Sequence, residues 1–137
     1  LEEGLENVFA RHHRIAEGVR AAVGAWGLEL CAQSPDVFSD TVSAIRTPEG
    51  FNATDIVTHA ADKYGVAFGV GLGEVAGKVF RIGHLGDFND LMLMGTLSGV
   101  EMGLDVAGVP HQTGGAQRAM EYLKTAATEE SSSVAAE

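Results

Sequence analysis

The chain of 137 residues is short of several residue types, and each shortage closes a class of function. A single cysteine, Cys31, excludes an internal disulfide framework and a cysteine-rich metal site, and leans toward a reducing compartment. Nine basic residues stand against 19 acids, for a net charge of −10. A surface of that sign repels phosphate backbones and anionic headgroups, so neither nucleic acid nor a membrane surface is expected as a partner. No apolar run approaches the roughly 18 residues of a spanning helix; the longest, around Leu91–Met94, stops at Gly95 and Thr96. The first residues are acidic and helical rather than basic and then apolar, so no leader peptide is expected. A chain opening on Leu1, without a helix cap, is expected to begin inside something longer. Lysine amines are scarce as well, carried only by Lys63, Lys78 and Lys124.

What is present is an ordinary globular balance, 45% hydrophobic and 20% charged, at the length of one domain. Leu1, Leu5, Val8, Phe9, Ile15, Val19, Ala22, Val23 and Trp26 recur with a period of about 3.6, which predicts one amphipathic helix over 1–26 closed by Gly27. Leu28–Ala32 and Thr41–Thr47 alternate as half-buried strands around a Ser34-Pro35-Asp36 turn and should pair antiparallel. Asn52 is placed to cap a helix with Ile56, Val57, Ala60, Ala61 and Tyr64 on its buried face, ended by Gly65. Val66–Val70 and Lys78–Ile82 read as strands, joined by a mobile connection marked by Gly71, Gly73 and Gly77. A helix from Asp87, its expected N-cap, to Ala107 and another over Gly114–Ala127 follow. The expected fold class is α/β, as an α+β two-layer sandwich: a small antiparallel or mixed sheet with helices on one side. The domain is placed at 1–128, with an acidic, Ser-rich disordered tail at 129–137.

Arg81 carries the strongest chemical signal. It interrupts an apolar strand, on the opposite face from Lys78, Phe80 and Ile82. A guanidinium at a strand's end can hold a carboxylate through two parallel hydrogen bonds, although a structural ion pair would look the same in sequence. Gly71-Leu-Gly73 loosely matches a dinucleotide fingerprint, but a strand follows it where that motif needs a helix. His12, His13, His59, His84 and His111 lack the third ligand a metal needs and read as surface or interface residues. His84 lies close to Arg81 without an assigned role. Cys31 has no basic neighbour that would make it a nucleophile. Asp87 and Asp90 fit a helix start. Gly95, Gly99 and Gly103 form a ridge for close packing on another helix or domain.

Val75-Ala-Gly-Lys-Val-Phe-Arg-Ile-Gly-His-Leu-Gly86 closely resembles the C-terminal domain of class V aminotransferases. The nearest branch is the serine–, alanine– and aspartate–glyoxylate enzymes. Gly4-Leu-Glu-Asn-Val-Phe-Ala-Arg-His-His-Arg14 and Val42-Ser-Ala-Ile-Arg46 match as well, and the likeness runs from about Leu1 to about Leu123. The resemblance implies a fold-type I pyridoxal 5′-phosphate enzyme. Its large N-terminal domain holds the Schiff-base lysine and most cofactor contacts; its small C-terminal domain covers the cleft. The family arginine that binds the substrate α-carboxylate falls on Arg81. None of Lys63, Lys78 or Lys124 stands in the Schiff-base context, so no catalytic, cofactor-binding or metal residue is expected in this chain. Alone it should be inactive, while the parent exchanges amino groups between amino-acid and 2-oxo-acid substrates. A cytoplasmic homodimer is implied too. The alternative is a stand-alone, non-catalytic α/β binding or dimerisation module. A desulfurase is disfavoured, because its cysteine needs a mobile loop and Cys31 falls in a predicted strand.

Overall fold

In the computed structural model, which describes residues 2–134, the chain opens with α1 (Leu5–Trp26). Two strands follow, β1 (Glu29–Leu30) and β2 (Val42–Arg46), then α2 (Ala53–Tyr64). Next come β3 (Gly69–Val70) and β4 (Val79–Gly83), and finally α3 (Asp90–Val106) and α4 (Gly115–Val134). The strands form one antiparallel sheet in the order β1-β2-β4-β3. β2 and β4 are therefore central and β3 is an edge. Ile45 lies opposite Phe80, and Ser43 opposite Ile82. These four residues point into the helical layer, where they are buried with Ile15, Val19, Trp26, Ile56, Leu93 and Leu97. Burial of each large side chain stabilises the fold by about 1.5–3 kcal/mol. Strand alternation turns Val42, Ala44, Arg46 and Arg81 to the other side, which α-helices among the described residues leave uncovered.

The caps explain the boundaries. Gly27 and Gly65 close α1 and α2 in the left-handed conformation, and the Asn52 side chain accepts from the Thr54 N–H at 2.9 Å. α3 begins later than its sequence predicts. Its N-cap is Asn89, whose Oδ1 accepts from Met92 N–H at 2.9 Å, and not Asp87. A cap must sit directly before the first helical residue, and Asp87 lies within a turn closed by Phe88 N–H to Gly86 O.

Other expectations are corrected too. Leu5 and Phe9 continue the apolar period of α1 but stand 54% and 60% exposed. The neighbouring Arg11 and His12 engage the backbone at Gly86 and Phe88, so this end of α1 docks through polar groups. Leu1 lies outside the described residues. Ala61 and Tyr64 face solvent rather than the core. The Gly71–Gly77 connection is not an open loop. A single 3-10 turn at Gly73–Val75, Gly71 N–H to Val79 O and Ala53 N–H to Gly77 O tie it to β4 and α2. α4 runs to Val134, into the stretch expected as tail. Residues 135–137 of that expected tail lie outside the described residues.

Candidate functional site

The site is built on β4 and the edge strand β3. Arg81 pairs with Ala44 of β2 on one side and Gly69 of β3 on the other. Its side chain runs out over Gly69, and Nε donates to the Val70 carbonyl at 2.9 Å. Neither Nη has a hydrogen-bond partner among the described residues. Arg11, Arg14, Arg20 and Arg118 each pair with a carboxylate, whereas Arg81 and the exposed Arg46 have none within ion-pair reach there. Arg81 is thus a half-buried cation fixed at Nε, with both ends of its fork open. That geometry suits a planar oxyanion approaching in the guanidinium plane.

A pocket of about 210 Å³ adjoins it, lined by Arg81, Ala44, Val42, Phe38, Ser43 and Arg20 among others. Arg20 adds little free charge there. It is held by Glu17 and by Asp40 at 2.8 Å, and its guanidinium stacks over the Phe38 ring at 5.2 Å. Burial acts to raise the Asp40 carboxyl, but hydrogen bonds from Arg20 and His13 outweigh it and hold the group below the usual carboxylate range. Of the two arginines at the pocket, only Arg81 keeps its charge uncompensated.

His84 is the residue that sequence reasoning misplaced. It is fully buried, not a surface residue. Its ring lies 3.1 Å from the Asp40 carbonyl at Nδ1 and 3.0 Å from Ser43 Oγ at Nε2. A carbonyl only accepts, so Nδ1 carries the proton and the Ser43 hydroxyl donates to Nε2. With His84 N–H bonded to Thr41 O at 2.9 Å, the ring staples the end of β4 to the start of β2. His12 accepts from the Gly86 N–H, whereas His13 meets Asp40. No group of three potential metal ligands occurs among the described residues. Gly69 also went unassigned in the sequence, although a glycine inside a strand pattern often marks a close approach by another group.

A pyridoxal cofactor needs a lysine amine for its aldehyde. Lys63, Lys78 and Lys124 are all exposed, and none lines the Arg81 pocket. The residues of this chain do not fit that group. Cys31 is a partly buried free thiol whose N–H bonds Ala44 O, just past the end of β1. Among the described residues no helix is long and apolar enough to cross a membrane.

A four-stranded antiparallel sheet covered on one side by helices is the small-domain architecture of the pyridoxal-phosphate aminotransferases. By fold and sequence the chain belongs to the C-terminal domains of the class V enzymes of that kind, in the serine– and aspartate–glyoxylate branch. It is 60% identical over 125 residues to an L-aspartate–glyoxylate aminotransferase of Paracoccus denitrificans, covering 90% of this chain and 32% of that protein. To a serine–glyoxylate aminotransferase of Methylorubrum extorquens it is 53% identical, over 90% of this chain and 31% of that one. The fold superimposes on a pyridoxamine–pyruvate aminotransferase of Mesorhizobium loti with a TM-score of 0.84 and 35% identity, covering 90% of this chain and 32% of that one. The chain therefore spans about a third of the length of the relatives it matches. No protein-family model matches it.

Proposed function

We propose that the chain is the small, cleft-closing domain of a longer pyridoxal-phosphate aminotransferase. That enzyme moves the amino group of serine, alanine or aspartate to glyoxylate, giving glycine, and works as a cytoplasmic homodimer. The observation that carries the reading is the Arg81 fork, anchored at Nε and unmatched by any carboxylate among the described residues. Amino donor and keto acceptor share one feature, a carboxylate beside the reacting carbon. One fixed guanidinium therefore serves both halves of the exchange and sets the same orientation for each. The cofactor and its lysine fall to the rest of the longer protein, and the cofactor supplies the carbanion stabilisation. This chain binds and orients.

Arg81→Lys in the full-length enzyme tests the reading. Lysine keeps the charge but loses the planar fork. Removing one partner of a desolvated charge pair typically costs about 2–5 kcal/mol, so kcat/KM should fall by roughly tenfold or more. Near-native kinetics would reject the carboxylate assignment.

A further inference from the structure

We infer that Gly69 is a positioning residue for Arg81: the missing side chain at this one edge-strand position leaves room for the guanidinium to lie where a substrate carboxylate can meet it. The inference rests on the proposed carboxylate role of Arg81 and extends it to a residue that touches no substrate. Gly69 lies directly across from Arg81 in the β3–β4 pair, so the two positions face the same side of the sheet. A Cβ built on Gly69 would stand 3.2 Å from Arg81 Nε, 3.3 Å from its Cβ and 3.5 Å from Nη2. The arginine thus lies against the glycine backbone along its length. From that position Nε reaches the Val70 carbonyl of the same edge strand at 2.9 Å.

The backbone does not explain the glycine. Gly73 and Gly77, in the adjoining turn, have φ of +58° and +72°, where other residues are strained. Gly69 is not among the positive-φ glycines and sits in ordinary strand conformation. Strands favour β-branched residues and are weakened by glycine, so a side chain here would suit β3 itself. What it would not suit is the arginine. An added methyl requires the arginine to give by a few tenths of an ångström at Nε and Cβ, and a branched side chain is expected to displace the fork further and weaken the bond to Val70. The same substitution therefore pushes strand stability and substrate recognition in opposite directions.

The test is a graded pair in the full-length holoenzyme, Gly69→Ala and Gly69→Val, beside Arg81→Lys. The expected result is a KM that rises for amino donor and glyoxylate alike, by roughly fivefold or more for valine and less for alanine. The melting temperature should hold steady or rise, because valine suits a strand better than glycine. Unchanged KM values for both glycine variants, with Arg81→Lys impaired, would overturn the role of Gly69 and leave that of Arg81. Unimpaired Arg81→Lys would overturn both. A fall in melting temperature with a lower kcat and an unchanged KM would mark Gly69 as a structural glycine and overturn the inference. If the valine variant does not fold, the alanine variant, which adds one methyl, decides the matter by the same KM criterion.

Discussion

His84 shows how much one side chain can hold without touching substrate. Its ring is neutral in the fold. Burial pushes its pKa below the ordinary histidine value and outweighs the hydrogen bond to the Asp40 carbonyl, which acts to raise it, and the nearby Arg20 charge adds a smaller push downward. The unfolded chain therefore binds a proton that the folded chain refuses. As pH falls through the usual histidine value of about 6.5, the unfolded state gains protons first and stability drops. The slope reaches at most about 1.4 kcal/mol per pH unit for one proton. Thermal unfolding from pH 7.5 to 5 should show the wild type losing stability on acidification. His84→Asn should be less stable at neutral pH yet change less across that range. Parallel curves for the two proteins would remove His84 as the source. None of this was legible in the sequence, because the partners Asp40 and Ser43 stand 44 and 41 residues away and a buried histidine reads like an exposed one. Arg81 was legible because a charge inside an apolar alternation announces itself locally. Its anchor on Val70 was not, since that contact crosses to another strand.

The elements were legible where local chemistry sets them and misread where a distant group does. Gly27, Asn52 and Gly65 cap their own helices and were found. α4 borrows its cap. Glu101 of α3 accepts from Gly114 N–H at 2.6 Å, from Ala116 N–H at 3.3 Å and from the Trp26 indole at 2.9 Å. Burial acts to raise this carboxyl, but the backbone and indole N–H groups outweigh it and keep the pKa below the usual range. A carboxylate there also favours the positive end of α4. Glu101→Gln should cost about 1–3 kcal/mol in chemical denaturation at pH 7. That difference should shrink as pH falls below about 4.5, where the wild-type carboxyl loses its charge advantage. A constant gap at all pH values would show that shape, not charge, matters there. The same junction has no room at Gly115, where a Cβ would run into the Trp26 indole. Gly115→Ala is expected to destabilise by about 1–3 kcal/mol, the usual range for overpacking, and a neutral result by the same denaturation assay would contradict this. The glycine ridge on α3 was read as a unit, but its members differ. Gly99 meets Val66 and Gly103 meets Ile56 and Ala60, while a Cβ at Gly95 meets nothing within 4 Å.

At the scale of the molecule, the net charge of −10 and the proposed binding of an anion look contradictory until the charges are placed. Four of the six arginines are matched with acids, Arg14 with Asp90 and Arg20 with Asp40 across the fold, Arg11 with Glu3 and Arg118 with Glu121 locally. Arg81 stands apart at a sheet edge on the uncovered side. Local placement, not net charge, decides where an anion settles. The shortage of lysine acts at the same scale. The fold has a full core of its own, yet its three lysine amines are exposed and away from the Arg81 pocket. Such a chain should fold without holding the cofactor. Incubated with equimolar pyridoxal phosphate, reduced with borohydride and mapped by mass spectrometry, it is expected to show no dominant pyridoxyl-lysine and no saturable absorbance change. A stoichiometric adduct on Lys63, Lys78 or Lys124 would mean that this domain builds a cofactor site of its own. Binding and chemistry would then not be divided between two parts of a longer protein, and Arg81 would need a new reading alongside that lysine.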